Sequence, residues 1–279
     1  MKGVNLMGKW RHGRLAAFGA TTLAAAIAAA GFASGTASAA AAKPGTIAAS
    51  GATSTAARQT APTVAASYTY TPSTRNLREG MTGADVKALQ SRLAALKYYP
   101  GPIDGAFGSD TLEAVWAFQE VQRLTVNGIV GTATKYALVH PRAYPTRYTH
   151  VPTRVEVNLT VRVLVFIRNY QIALISHVST GGHYWYPCGS GECFANTPTG
   201  SFRALYMIKG WHHAALGYMY NPVYFNYSGF AIHGEYNAEV PVNPVSHGCV
   251  RIPYDIAQWF YRDLHITESG SGTPIYIYK

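Results

Sequence analysis

Cysteine is scarce in this chain, with three residues in 279. So few thiols exclude a disulfide-framed scaffold, and the odd number leaves one unpaired if the other two bond. Charge is sparse too, at 13% of residues, and acidic groups are outnumbered by Lys and Arg, 13 to 23. No basic helix and no RNA-binding signature accompanies that excess, so nucleic acid is not the expected partner. Beyond residue 32 no stretch is long and apolar enough to span a bilayer, so any membrane contact is expected only through the N-terminal segment. The chain does have 48% hydrophobic residues, enough for ordinary cores, and 20 tyrosines. Heavy tyrosine suits strands, and also a wet carbohydrate or peptide groove.

The formal net charge is +10, falling to +6 if Lys2, Lys9, Arg11 and Arg14 are removed with a leader. A basic protein is drawn to polyanions, here an anionic wall or membrane surface, with a merely soluble basic surface as the alternative. Those four cations precede an Ala-dominated apolar run, Leu15 to Phe32, and Ala37-Ser38-Ala39 supplies small residues before a cut. Residues 1–39 therefore read as a secretory signal, with a retained membrane anchor as the alternative. Residues 40–75 carry Ala, Ser, Thr, Pro and Gly without an acidic residue, a linker or tether.

Character changes over 76–139. Val86, Leu89, Leu93 and Leu96 recur at helical spacing, and Pro100-Gly101-Pro102 ends that helix. A small repeat follows. Asp104-Gly105-x-x-Gly108-x-x-Thr111 is echoed by Asn127-Gly128-x-x-Gly131-x-x-Thr134. Each copy is a Gly turn feeding a helix start, where Ser, Thr or Asp is expected to accept from orphan N–H groups. Leu112, Val115, Phe118 and Val121 form the stripe of a second helix. The expectation is a three-helix unit.

Residues 140–152 read as a connector. Val155 to Val163 alternate as a half-buried strand, Val163 to Ile167 run on apolar, and Ile172 to Val178 return after a turn at Arg168-Asn169-Tyr170. Only one further helix is expected, from Pro253 or Tyr254 to Leu264. Residues 153–279 are otherwise strands and turns, a mostly β domain, so the chain is an α+β multidomain protein.

Cys188 and Cys193 share a Gly-rich loop and are candidates for a local disulfide. Cys249 is then a lone thiol in an oxidising place, natural for a nucleophile. It sits in Ser246-His247-Gly248-Cys249-Val250-Arg251, sixteen residues after His233 in Ile232-His233-Gly234. An imidazole promotes the reactive thiolate, and Gly248 lets amide N–H groups turn toward a developing oxyanion. Zinc ligation by His233, His247 and Cys249 competes, but no fourth ligand is evident. No metal and no cofactor is expected.

These residues resemble the active-site signature of the L,D-transpeptidase catalytic domain, the YkuD domain. Val155-Glu156-Val157-Asn158-Leu159 resembles its opening strand, Val178-Ser179-Thr180-Gly181-Gly182 its first glycine turn, and Thr197-Pro198-Thr199-Gly200-x-Phe202 its substrate-side turn. The segment before it resembles the type 1 peptidoglycan-binding domain, on Leu77-x-x-Gly80, Val86-x-x-Leu89-Gln90-x-x-Leu93, Asp104-Gly105-x-Phe107-Gly108, Thr111, Ala114-Val115-x-x-Phe118-Gln119 and Gly128-x-x-Gly131-x-x-Thr134.

The resemblance implies a small helical wall-binding module followed by a β-sandwich-like domain, acting on peptidoglycan stem peptides and glycan outside the cell; a monomer is expected. It implies that Cys249 attacks the third stem residue of a tetrapeptide donor, D-alanine leaves, and a second stem's amine resolves the thioester into a 3→3 cross-link. His233 would move the protons, with the Gly234 carbonyl orienting its ring. N–H groups of Gly248 and Cys249, and of His247 as a further donor, would form the oxyanion hole. Ser246, Arg251 and Tyr224 are candidates for substrate contact, with Trp211 as another groove wall; Arg251 either binds stem carboxylates or braces the site. The aromatic run Tyr184-Trp185-Tyr186 beside Cys188 is not general to the family and could cap the groove. Hydrolysis of the thioester, exchange with a D-amino acid, or a catalytically idle wall-binding protein are the alternatives.

Overall fold

Two buried glutamines explain the small repeat. The computed structural model describes residues 70–235, 239–266 and 271–279. The expected leader and nearly all of the expected linker lie outside them. The first helix, α1 (Ala84–Ala95), carries Gln90, whose amide donates to Asp104 Oδ1, the Ala106 carbonyl and Thr111 Oγ1 while its oxygen accepts from Gly105 N–H. The second, α2 (Ser109–Gln122), repeats the clasp with Gln119 on Asn127, Ile129, Thr134 and Gly128. Each glutamine satisfies a turn that hydrophobic packing would otherwise strand. The third helix is α3 (Thr132–Val139). Side-chain caps, expected at these starts, are not used. The N-cap positions are Gly83, Gly108 and Gly131, and none has a side-chain cap bond. Thr111 lies inside α2 and donates instead to the Pro100 carbonyl.

The folded part also reaches into the expected linker. Tyr70 is buried in the helical core, and Arg75 pairs with Asp85 at 2.8 Å. The connector is packed as well. Tyr144 is buried with its hydroxyl 2.9 Å from that of Tyr278, and Gln122 holds Arg142 through both main-chain groups.

Strands β1 (Arg154–Asn158), β2 (Val163–Arg168), β3 (Gln171–His177), β6 (Gly200–Arg203) and β12 (Pro274–Tyr278) make one sheet, in the order β3-β2-β1-β12-β6. The long alternation from Val155 to Val163 is not one strand. Asn158 Oδ1 accepts from Thr160 and Val161 N–H, Arg162 adopts φ 56°, and the chain reverses so that β1 and β2 pair antiparallel. Nor is β1 half-exposed: Arg154 and Glu156 are buried against each other as an ion pair at 2.7 Å, and Glu156 also accepts Arg147 and Tyr148 N–H.

A second sheet runs β11-β10-β9-β7, with β8 on β9: β7 (Tyr206–Met207), β8 (Trp211–Ala214), β9 (Gly217–Tyr224), β10 (Ala231–Gly234) and β11 (Val250–Ile252). The remaining helix is α4 (Tyr254–Asp263), and a separate hairpin pairs β4 (Trp185–Cys188) with β5 (Gly191–Phe194). The segment read as a loop is thus a hairpin, and its Cys188 and Cys193 are bonded.

The continuous apolar run of β2 is explained by burial on both faces. Leu164 and Phe166 join Val223, Ile232, Val250, Ile256 and Phe260 between the sheets and α4. Val163, Val165 and Ile167 join Leu89, Val115, Phe118 and Leu138 in the core of the helical module. No helix among the described residues is long and apolar enough to cross a membrane.

Candidate active site

The register of three strands decides which side chains meet. β10 pairs parallel with β11, Ile232 opposite Val250 and His233 opposite Arg251, and β9 pairs with β10, Tyr224 opposite Ala231. Side chains alternate across a sheet. Ile232, Val250 and Val223 therefore enter the core, while His233, Arg251, Tyr224 and, just before β11, Cys249 share the opposite face. They line one cleft of about 320 Å³ with Tyr186, the Ala214–Met219 segment, Phe230, Ser246, His247 and Gly248. Neighbours sixteen apart in sequence become neighbours on one surface.

His233 is buried, and its Nδ1 lies 2.9 Å from the Gly234 carbonyl oxygen. A carbonyl only accepts, so Nδ1 carries the hydrogen and Nε2 of the neutral ring is bare. Burial drives the ring pKa from 6.5 to about 4, against the Gly234 hydrogen bond and Glu235, which raise it. Cys249 is half-buried, and its thiol pKa is pushed up, again by burial first; a hydrogen bond involving the Ala231 backbone and the Arg251 charge act the other way. Both partners thus rest uncharged at neutral pH. Gly234 has no room for a side chain: a Cβ there would meet Ala257 Cβ at 2.9 Å.

The turn before the sulfur is closely tied. Ser246 Oγ donates to the Cys249 carbonyl at 2.6 Å and accepts Gly248 N–H at 3.0 Å. Thr197 Oγ1 accepts Gly181 N–H and donates to the Gly248 carbonyl at 2.8 Å. Gly248 sits at φ 144°, and a Cβ would come 2.2 Å from Phe230 Cε1, so only glycine fits.

Two expectations change here. Ser246 lines the cleft floor, but its hydroxyl braces the turn instead of reaching outward. Gly248 N–H is committed to Ser246, so of the expected oxyanion donors the N–H groups of His247 and Cys249 remain. Arg251 pairs with Glu235 at 2.9 Å while lining the cleft. Tyr224 forms a wall, stacked on Tyr206 at 4.4 Å. Trp211 does not line the cleft; it stacks on Tyr254 instead.

His247, the nearest imidazole in sequence, is enclosed by tyrosine rings, Tyr186 at 4.3 Å and Tyr184 at 5.8 Å. Burial, then Arg251, lowers its pKa. Phe230, Glu235 and the Ala214–Met219 segment were not singled out from sequence. Glu235 directly follows His233-Gly234, a signal that was available; the loop carries no chemical signature. Among the described residues no three His, Cys, Asp or Glu side chains gather as a metal would require.

Comparison with known proteins matches this layout. The peptidoglycan binding domain model covers residues 82–138, and the L,D-transpeptidase catalytic domain model covers residues 152–277. The crystal structure of an L,D-transpeptidase from Xylanimonas cellulosilytica is 32% identical with a TM-score of 0.67, covering 75% of this chain and 100% of that one. Among curated proteins, the spore cortex-lytic enzyme of Oceanobacillus iheyensis is 39% identical over 80 residues, 29% of each chain. That of Bacillus subtilis is 42% identical over 77 residues, 27% of this chain and 25% of the relative. The chain spans less than a third of the length of these curated relatives. On the two domain matches and the structural likeness over 75% of its length, the chain belongs to the L,D-transpeptidase family.

Proposed function

We propose that this chain cross-links peptidoglycan outside the cell through a thioester on Cys249. The observation that carries the reading is the shared sheet face: a lone thiol and a histidine with its Nδ1 tied to a carbonyl line one cleft. In the proposed reaction His233 Nε2 takes the thiol proton as Sγ attacks the carbonyl of the third residue of a tetrapeptide stem. The tetrahedral oxyanion is met by main-chain N–H groups of His247 and Cys249, each such donor worth about 3 kcal/mol of barrier. The C–N bond to D-alanine breaks, the departing amine takes the proton from His233, and a thioester is left. An amine of a second stem then attacks, gives its proton to His233, and expels the thiolate, which is reprotonated. Gly234 acts as the orienting third member through its carbonyl.

A neutral resting pair suits this order of events. The thiolate is formed with substrate in place and is not held ready for oxidants outside the cell. The helical module supplies affinity for the wall, the disulfide-bonded hairpin forms a wall of the cleft, and the chain works as a monomer.

Intact-mass measurement with a tetrapeptide-stem muropeptide tests the reading. We expect release of D-alanine, an acyl adduct on Cys249 and a dimer of 3→3 mass. Tripeptide without dimer would make the acceptor water, and exchanged tetrapeptide would make it a free D-amino acid. No adduct and no D-alanine would overturn the proposal.

A further inference from the structure

Ahead of the turn that carries Cys249, the chain from Val240 passes along the helical module. From Val240 to Val245 it forms a strap held by polar contacts on both sides. Val240 is fully buried, and its N–H donates to Glu113 of α2. The Pro241 carbonyl lies 3.2 Å from Nε2 of His177 at the end of β3, and the Nδ1 of that ring lies 3.0 Å from Glu120 of α2. Further along, Ser179 Oγ donates to the Asn243 carbonyl at 2.8 Å and accepts Val245 N–H at 3.3 Å. Tyr184 OH donates to the Val245 carbonyl, and Ser246 N–H donates to Thr180. The strap is thus bonded at Val240, Pro241, Asn243 and Val245 as it enters the nucleophile turn.

Glu113 and Glu120 lie seven residues, two helical turns, apart and so face the same way. Both are buried, at 3% and 5% exposure. A carboxyl group is costly to bury unless something needs its oxygens. Glu113 meets Val240 directly, and Glu120, besides its contact with His177, pairs with Arg162 at 3.2 Å, so both carboxyl groups face the catalytic domain.

We propose that Glu113, directly, and Glu120, through His177, are positioning residues that fix the Val240–Val245 strap and thereby the Ser246–Cys249 turn, making the helical module part of the catalytic scaffold and not only a tether. This rests on Cys249 being the nucleophile. The test uses the full chain and a soluble tetrapeptide stem peptide without glycan, on which wall tethering has no influence. In Glu113→Ala we expect kcat for Cys249 acylation to fall about tenfold or more, with the donor KM nearly unchanged, since a shift of about 1 Å at a reacting atom costs on the order of a hundredfold. Glu113→Gln keeps an oxygen for Val240 N–H and should restore the rate. Leu89→Ala, a core change in the same module, destabilises without touching the strap and should leave kcat unchanged.

Iodoacetamide alkylation of Cys249 is a second readout needing no substrate. It should slow in Glu113→Ala as Sγ leaves Ala231. Wild-type rates in Glu113→Ala, measured well below its unfolding temperature, would overturn the proposal, as would equal losses in Leu89→Ala. If Glu113→Ala does not fold, His177→Ala releases Pro241 from the other side and carries the same expectations. A wild-type chain that is never acylated would refute the transpeptidase reading, and alkylation rates alone would then decide the strap.

Discussion

A histidine that is bonded through Nδ1 and buried is a base only through Nε2, and only above its own pKa. Because burial lowers the His233 pKa to about 4, its neutral form is present above that pH and is lost as pH falls through it. We therefore predict that kcat/KM for a stem peptide holds from neutral pH down to about 5 and declines toward 4; an acid limb near 6.5 would count against the assignment. On the alkaline side the raised thiol predicts that alkylation of Cys249 has its midpoint above that of an ordinary cysteine. The two histidines near the sulfur should separate sharply. Replacing His233 with alanine removes the proposed proton carrier and should cost on the order of a hundred- to ten-thousandfold in acylation. His247 packs against Tyr184 and Tyr186, so His247→Ala should mainly raise the donor KM, as steady-state kinetics would show. Gly248→Ala meets both a positive φ and the Phe230 ring, and we expect it to lose acylation even where the chain still folds.

At the scale of elements, the hairpin of β4 and β5 belongs to neither five-stranded sheet, and its residues join none of the hydrophobic cores. An isolated two-stranded hairpin is marginal in water. The Cys188–Cys193 bond closes it, the main chains of His183 and Tyr184 pair with Ala195, and the Tyr184 hydroxyl on Val245 ties it beside His247. We predict that the double variant Cys188→Ser/Cys193→Ser keeps kcat and the melting temperature but raises the donor KM severalfold as Tyr186 leaves the cleft wall; an unchanged KM would deny the hairpin that role. The hairpin also marks a boundary of legibility. Its cysteines and aromatic run stood out by composition, but pairing Trp185 with Phe194 required knowing where Gly189 turns. The helices were readable because their apolar spacing is local. The glutamine clasps were not, because their partners lie up to 21 residues away. The break at Asn158 was hidden for another reason: alternation of Val and polar residues continues through a turn that a side-chain oxygen imposes. Of the site, thiol and imidazole were legible from residue type and spacing. The diversion of Ser246 and Gly248 N–H into the turn, and the arrival of Glu113 at Val240, depend on contacts over distances that spacing does not encode.

For the molecule as a whole, the module and the catalytic domain share a core: Leu89, Phe118 and Leu138 pack in one cluster with Val163, Val165 and Ile167. They should unfold in a single calorimetric transition, and the groups at their junction should govern its pH dependence. Glu113 is raised from 4.5 to about 8, by burial first and then by the nearby carboxylates of Asp110, Glu239 and Asp255. Its folded form thus keeps a proton that the unfolded chain releases. That contribution is complete below 4.5 and is lost as pH rises toward 8. Asp110, raised to about 6 by burial and by Asp255, adds the same sign over a lower window. His233 has the opposite sign. Its ring is kept neutral in the fold, so its contribution is complete above 6.5 and is lost as pH falls toward 4. Between pH 6.5 and 8 Glu113 therefore acts alone among these groups, and the unfolding free energy should decline with a slope of at most about 1.4 kcal/mol per pH unit. Glu113→Gln does not titrate and preserves the acceptor for Val240, so melting temperatures recorded across that interval should be flat in the variant and falling in the wild type. Parallel declines in both proteins would place the titrating group elsewhere.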